Sequence, residues 1–315
     1  METVKVGIVG CGMITARRHA PEYTDNPHAQ IVGFYDFDQQ RAGELAAGYG
    51  GKVYASPEEL FADPEIDAVS ICSPNYTHAD YSIQALRAGK HVLCEKPLAP
   101  TEAQAEEMFK AAEENHVYLM EAFAYQHSPY IAAVRKEIEN GTIGDVRYME
   151  SAYITSDYDP KNIRMRRDTL GGCTYDLGVY NTSLILRILG DEPAKVRAIA
   201  SFSEEKIDTL TSAIFEYADG KKAAFSCGMA LATDLDRHID RFEIQGTKGS
   251  IKGTGFEFNG DGELSYTITF FDGREEMKTI SVPQNYRLEV EQMGRCVEGK
   301  ETPAVTRGFS LANAR

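Results

Sequence analysis

Short apolar runs alternate with amphipathic stretches along the first third of the chain. The runs are rich in β-branched residues, and the stretches between them repeat apolar positions at helical spacing. This alternation is typical of βαβ units, in which helices cover both faces of a parallel sheet. It predicts strands at Val4–Val9, Ile31–Tyr35, Ala68–Ile71, His91–Cys94 and Val117–Ala122.

Two of the predicted helices carry their own start signals. Ser56, Pro57 and Glu59 supply an N-cap hydroxyl, a proline at the first helical position and an acid at the third. Thr101 and Gln104 form a similar capping box. We therefore expect a doubly wound α/β domain of the Rossmann type over residues 1–122.

The pattern changes after Phe123. A helix is predicted to start at Ser128-Pro129 and another to cover Tyr175 to Leu189, while most other segments alternate with period two. The turn signals Asp219-Gly220 and Asp272-Gly273 predict hairpins. Residues 123–315 are therefore expected to form an α+β domain with a large, open, mainly antiparallel sheet. Because the last residues have helical character, we also expect the natural protein to continue past them.

Charge and length exclude several classes of protein. The 315 residues carry 33 Lys and Arg against 48 Asp and Glu, a net charge of −15, which is the wrong sign for holding a phosphate backbone. No apolar run approaches the length of a membrane span. We therefore expect neither a nucleic-acid partner nor a membrane.

The six cysteines never form a CxxC pair, and no His or Cys cluster has the spacing of a metal site. The segment after Met1 lacks the basic and apolar regions of a secretory signal. These features predict free thiols, no metal and a cytoplasmic location.

A glycine turn follows the first predicted strand. Gly10 permits the tight turn, Gly12 removes a side chain that would block a pyrophosphate, and the helix start at Met13 and Ile14 offers backbone amides to that anion. Thr15 stands where the motif usually has a third glycine. The pattern predicts a dinucleotide-binding turn.

Asp36 ends the second predicted strand, 21 residues after Thr15. A carboxylate at this position accepts hydrogen bonds from the adenosine ribose and repels a 2′-phosphate. Asp36 therefore favours NAD over NADP as the cofactor. The alternative interpretation is an ordinary acid at a strand end in a nucleotide-free domain.

Polar residues follow two further strands of the predicted parallel sheet, at the edge where open α/β sheets bind ligands. They are Ser73, Pro74 and Asn75 after the third strand, and Glu95, Lys96 and Pro97 after the fourth. These residues are candidate cofactor contacts, and Lys96 is a candidate catalytic cation. The alternative for Lys96 is a surface cation paired with Glu95.

A second glycine turn, Gly171-Gly172, opens a helix that carries Asp176 and Tyr180 four residues apart on one face. A carboxylate and a phenol beside an ammonium group form a plausible acid–base set for a carbinol proton, since a cation favours the phenolate. The alternative is a helix-terminal acid and a packed tyrosine.

As a set, these residues resemble the Gfo/Idh/MocA oxidoreductases over nearly the whole chain. Besides the positions given above, the resemblance includes His78. It implies a Rossmann domain, a second domain whose open sheet forms homo-oligomers, and hydride transfer between a nicotinamide and a carbinol carbon of a sugar or polyol. Lys96, Asp176 and Tyr180 would be catalytic, and His78 would belong to the cofactor site.

The resemblance also implies substrate contacts. They are Phe123, His127 and Arg164, together with Lys96, Asp176 and Tyr180. His127 has an equally good structural explanation. Tyr180 falls where many members of the family have a histidine, and Cys173 replaces a glycine usual in that turn.

The sequence therefore supports one main hypothesis, an NAD-dependent sugar or polyol dehydrogenase. Two alternatives stay open: an NADP-dependent sugar or dihydrodiol dehydrogenase, and a non-catalytic NAD-sensing regulator on the same fold.

Overall fold

The computed structural model describes residues 3–155, 159, 161–190, 192–229, 238–254 and 261–315, with backbone only at 254. The chain folds into two compact units. The first comprises Met1–Gln126 and Tyr286–Arg315, and the second comprises His127–Asn285. These units differ from the boundaries expected from sequence, which placed all of 123–315 in one domain.

The first unit is built on a six-stranded parallel sheet. The strand order β3-β2-β1-β4-β5-β6 is that of a Rossmann fold, which confirms the predicted fold class. The strands are β1 Val4–Val9, β2 Ala29–Tyr35, β3 Lys52–Val53, β4 Ala68–Ile71, β5 His91–Glu95 and β6 Leu119–Ala122.

Helices follow the strands as the capping signals predict. Ser56 Oγ accepts a hydrogen bond from Glu59 N at 3.2 Å, and Thr101 Oγ1 accepts one from Gln104 N at 3.3 Å. The helices of the chain are α1 Ala20–Glu22, α2 Gln39–Tyr49, α3 Pro57–Ala62, α4 His78–Arg87, α5 Glu102–Glu114, α6 Pro129–Glu139, α7 Val179–Leu189, α8 Asn285–Val297 and α9 Arg307–Ala314. Two π-helical segments, Thr15–His19 and Thr174–Gly178, precede α1 and α7.

The C-terminal helix α9 explains why the end of the chain belongs to the first unit. Its Leu311 and Ala314 pack against the core that surrounds β4 and β5. On the surface, Arg307 and Arg315 form ion pairs with acidic residues of α5. The last helix therefore covers the Rossmann core as one more element of that layer.

The second unit contains an eight-stranded sheet in the order β14-β13-β12-β11-β7-β10-β9-β8. The strands are β7 Val146–Ile154, β8 Lys195–Phe202, β9 Asp208–Glu216, β10 Lys222–Gly228, β11 Ile239–Gly246, β12 Gly249–Thr254, β13 Gly262–Phe270 and β14 Glu275–Val282. The β9–β10 and β13–β14 hairpins form at the predicted turns. Neighbouring strands are antiparallel except β7 and β10, which pair in parallel.

One face of this sheet is covered and the other is open. On the covered face, helix α6 packs against β13 and β14, and helix α7 packs against β7 and β10. On the open face, Ile199 of β8, Ile214 of β9 and Met277 of β14 are 83%, 60% and 71% exposed. The open face therefore presents apolar side chains to its surroundings.

Across the described ranges, none of the helices combines the length and the apolar character needed to cross a membrane. In that same part of the chain, His, Cys, Asp and Glu side chains do not gather in any group of three or more suited to a metal ion. All six cysteines are free and buried.

Candidate active site

The first glycine turn leaves β1 at the edge of the parallel sheet where the carboxyl ends of the strands meet. Gly10 has φ +97°, and its amide donates to Tyr35 O at 2.8 Å. A Cβ at Gly10 would lie 2.5 Å from the backbone of Cys72 and Ser73, whereas a Cβ at Gly12 would meet no atom within 4 Å. Gly10 is thus required by the fold, and Gly12 leaves open space beside the turn.

The chain enters a helix directly after Gly12, where backbone amides of a first turn have no intrahelical acceptors. Met13 is 54% exposed, and Ile14 is partly exposed. Thr15, in place of the third glycine, is fully buried and donates its hydroxyl to Gly10 O at 2.5 Å. Open space next to free amides fits the pyrophosphate of a dinucleotide.

Asp36 is fixed against this turn. Its Oδ2 accepts from Cys11 N at 2.6 Å, and its Oδ1 accepts from Asp38 N at 2.8 Å. Burial, reinforced by this carboxylate, raises the pKa of the Cys11 thiol to about 12. Each carboxylate oxygen retains a lone pair, so the group can also accept from a ribose hydroxyl.

Ser73, Pro74 and Asn75 form the loop after β4, where Ser73 Oγ and Thr77 Oγ1 are 2.6 Å apart. His78 lies beneath this loop and is 1% exposed. Its Nδ1 is 2.8 Å from Pro97 O and its Nε2 is 2.8 Å from Ser73 O. His78 therefore ties together the two loops that follow β4 and β5, and it lies below their surface.

Glu95, at the end of β5, is 7% exposed and bonded at both oxygens. Oε1 lies 2.7 Å from His19 Nε2, and Oε2 accepts from Lys96 N at 3.1 Å. Lys96 itself is partly exposed, and the Lys96–Pro97 peptide is cis. The buried carboxylate thus holds the backbone from which Lys96 projects.

The pKa shifts of both residues favour the charged form of the buried His19–Glu95 pair. Burial raises the pKa of Glu95, but the His19 imidazole and the Lys96 ammonium outweigh this, and the pKa is lowered overall. Burial lowers the pKa of His19, yet the Cys72 sulfur and Glu95 raise it well above its usual value. The two charges compensate each other next to Lys96.

In the second unit, the Gly171-Gly172 turn packs against the segment around Arg164. Gly172 has φ +122°, and its amide donates to Arg164 O at 2.9 Å. Arg164 Nε lies 2.8 Å from Asp176 Oδ2, so an ion pair joins two of the predicted site residues. Tyr180 is 8% exposed, with its ring 6.3 Å from that of Tyr153 in an edge-on arrangement.

Asp176 lies in the π-helical segment Thr174–Gly178, and Tyr180 lies in the first turn of α7. Such π-helical turns are frequent at functional sites because they alter which side chains share a face. The sequence predicted a regular helix here, since the same residue spacing is compatible with both helical forms.

Cys173 does not disturb the glycine turn. Its φ of −69° is that of an ordinary helical residue. Its Sγ lies 3.0 Å from Asp208 Oδ2 and 3.7 Å from Cys227 Sγ, and its side chain is fully buried. The position therefore has no need of a glycine.

Phe123 is placed differently from the expectation of a substrate contact. It is fully buried, with its ring edge-on to Tyr125 and Phe309 at 5.9 and 6.2 Å. Its packing against α9 makes it a core residue of the first unit. His127 is partly exposed and belongs to the second unit.

Sequence reasoning missed two buried polar residues of the first unit, His19 and Glu121. Glu121 accepts from Leu98 N at 2.9 Å, two residues after Lys96. The signal for Glu121 was present, because it is a charged residue inside the apolar run Leu119–Ala122. His19 gave no such signal, since its partner Glu95 is 76 residues away.

Comparison with known proteins places the chain in a family. Residues 4–123 match the family model described as an oxidoreductase family with an NAD-binding Rossmann fold, and residues 131–252 match the GFO/IDH/MocA C-terminal domain. The chain belongs to the GFO/IDH/MocA family, and it is an NAD(P)-dependent oxidoreductase.

Individual relatives resemble the chain over most of its length. D-xylose 1-dehydrogenase (NADP(+)) 2 from Haloferax volcanii is 32% identical over 314 residues, covering 98% of this chain and 94% of the relative. Trans-1,2-dihydrobenzene-1,2-diol dehydrogenase from Xenopus laevis is 30% identical over 291 residues, covering 88% of this chain and 84% of the relative. The crystal structure of KijD10, a 3-ketoreductase from Actinomadura kijaniata in complex with NADP and TDP-benzene, has a TM-score of 0.91 at 25% identity. The match covers 99% of this chain and 95% of the 3-ketoreductase.

Proposed function

We propose that this protein is a dehydrogenase that transfers a hydride between NAD and a carbinol carbon of a sugar, polyol or sugar derivative. The observation that carries the proposal is Lys96, held at the end of β5 by the buried His19–Glu95 pair in the same unit as the glycine turn. A sensor protein on this fold has no evident use for a buried ion pair that fixes a lysine backbone.

The cofactor and the side chains would divide the chemistry between them. The bound nicotinamide would accept or supply the hydride. Lys96 would donate a hydrogen bond to the reacting hydroxyl, and Tyr180 would exchange a proton in the reaction. Asp176 would orient the substrate together with its partner Arg164.

Gly10, Gly12, Met13 and Ile14 would surround the pyrophosphate, and Asp36 would bind the adenosine ribose. The loops Ser73–Asn75 and Glu95–Lys96 would flank the nicotinamide half. His78 would act through the two loops that it joins. Thus His78 supports the cofactor site without touching the cofactor.

We propose NAD as the preferred cofactor because the Asp36 carboxylate would repel a 2′-phosphate. A second candidate is an NADP-dependent enzyme, favoured by the relative named for NADP(+) and by the NADP complex of the 3-ketoreductase. The substrate class rests on relatives named for xylose and a dihydrobenzenediol, which both carry hydroxyl groups on neighbouring carbons.

We further propose that the protein forms homo-oligomers through the open face of the second unit's sheet, where Ile199 and Ile214 are exposed on the paired strands β8 and β9. Neighbouring exposed apolar residues are typical of interaction surfaces. The six buried free thiols suit a reducing compartment such as the cytoplasm.

The test is a fluorescence titration with NADH and NADPH, followed by turnover assays on aldoses, polyols and uronates. We expect tighter binding of NADH and nicotinamide reduction with at least one polyol or aldose. Tight binding without turnover on any compound would support the regulator instead, and a preference for NADPH would support the second candidate.

A further inference from the structure

Glu121 is a buried carboxyl group close to Lys96 for which the proposed mechanism has no use. It lies at the end of β6, in register with Cys94 of the neighbouring strand β5. Its side chain is 1% exposed. A carboxyl group in such a position needs partners, because burial of an unpaired charge is costly.

The carboxyl group is anchored on one side only. Oε1 accepts from Leu98 N at 2.9 Å, which fixes the turn that Lys96 begins. Oε2 is buried and has no hydrogen-bond partner among the described residues. The Ser310 hydroxyl of α9 lowers the pKa of the carboxyl group.

The charged groups that influence the pKa of Glu121 come from the end of β5. The Glu95 carboxylate raises this pKa and the Lys96 ammonium lowers it. Cys94 adds a thiol that burial keeps protonated, since its pKa is raised well above its usual value. From α9 the approaching group is the neutral Ser310, because Arg307 and Arg315 pair with α5 on the surface.

We propose that Glu121 is a positioning residue for Lys96: its carboxylate anchors the Lys96–Leu98 turn and interacts electrostatically with the Lys96 ammonium at the ends of β5 and β6. The inference rests on the proposed function for the catalytic role of Lys96. The electrostatic interaction itself does not depend on turnover.

The interaction predicts a pH dependence. Burial, reinforced by the Glu95 carboxylate, raises the pKa of Glu121 to about 7, against the lowering effects of Ser310, the Leu98 amide and Lys96. Above this pH Glu121 is ionised and binds Leu98 N as a charged acceptor, which strengthens that hydrogen bond. As the pH falls through about 7, the carboxyl group becomes neutral and the Lys96 turn loosens, so kcat should fall.

The first measurement is a ¹³C NMR titration of glutamate-labelled protein between pH 5 and 9, in which the Glu121 carboxyl resonance is recognised by its loss in Glu121→Gln. We expect a midpoint near 7 in the wild type. Lys96→Met removes the nearby cation and should raise the midpoint, and Ser310→Ala should also raise it. Glu289→Gln is the matched control for the assignment. Glu289 is equally buried and its pKa is also raised well above its usual value, so this variant should keep the resonance assigned to Glu121.

The second measurement is kcat against pH. Glu121→Gln should retain the hydrogen bond from Leu98 N but hold kcat near the low, acid-side level of the wild type at every pH. A purely structural role would lower kcat without removing its change near pH 7.

A Glu121 midpoint below 6, or one that Lys96→Met leaves unmoved, would overturn the inference whether or not the protein turns over any substrate. A kcat profile that keeps its change near pH 7 in Glu121→Gln would also overturn it. Absence of turnover in the wild type would overturn the proposed function alone, since the titration would still measure the interaction.

Discussion

Asp36 shows how much a single side chain contributes to the proposed cofactor site. Its two oxygens accept from the amides of Cys11 and Asp38, so the carboxylate is fixed between the glycine turn and the end of β2. A fixed carboxylate discriminates between NAD and NADP better than a mobile one, because it stays close to the 2′-phosphate and repels it. Cofactor preference should therefore depend on this charge.

Asp36→Asn keeps the size and one acceptor oxygen but removes the charge. We expect the preference for NADH over NADPH to narrow by about tenfold, which corresponds to about 1.4 kcal/mol of lost discrimination. Fluorescence titrations with both cofactors measure the ratio. Glu44→Gln, an equivalent charge removal on the exposed face of α2, should leave the ratio unchanged, and an unchanged ratio in Asp36→Asn would argue against the ribose assignment.

Most residues of the candidate site could be proposed from the sequence because they fall at strand ends or in glycine turns. Their partners could not be, because those contacts join distant parts of the chain. His19 meets Glu95, and Arg164 meets Asp176, only through the fold. Phe123 was expected to contact substrate because of the family resemblance, yet its ring is buried against Phe309 of α9.

Among the structural elements, the glycine turn separates the requirements of folding from those of binding. Gly10 has a positive φ and no space for a side chain, since the backbone of Cys72 and Ser73 stands 2.5 Å from its Cβ position. Gly12 has space for one. The two glycines should therefore respond oppositely to the same substitution.

Gly10→Ala should lower the free energy of unfolding by about 2 kcal/mol or more, because a strained φ and a backbone contact add together. Gly12→Ala should leave stability nearly unchanged but weaken NADH binding by about tenfold or more, since its methyl group would occupy the space proposed for the pyrophosphate. Thermal unfolding and cofactor titration of both variants separate the effects. Equal losses of stability in the two variants would contradict this division.

The pattern of elements was largely predictable, and its failures have physical causes. Strand β3 was missed because two exposed residues give no hydrophobic period. The parallel pairing of β7 with β10 was missed because turn signals report only on neighbouring strands. The place of α8 and α9 was missed because no change of composition marks the return of the chain to the first unit.

At the scale of the whole molecule, the open sheet face of the second unit is the proposed interface for homo-oligomer formation. We expect the wild-type protein to be a homo-oligomer by light scattering. The double variant Ile199→Asp, Ile214→Asp should dissociate it, because charges on a desolvated surface are costly. Phe271→Asp is the control, since Phe271 is 73% exposed but lies at the β13–β14 turn. A monomeric wild type would contradict the proposed assembly.

The central claim is that Lys96 handles the reacting hydroxyl while other residues of the first unit bind the cofactor. The most direct test is kcat and NADH affinity of Lys96→Met, with Lys110→Met on the exposed face of α5 as the control. The account predicts that kcat falls by about 100-fold or more, the scale expected for loss of acid–base catalysis, while the NADH dissociation constant changes little. Turnover near the wild-type rate in Lys96→Met would contradict it.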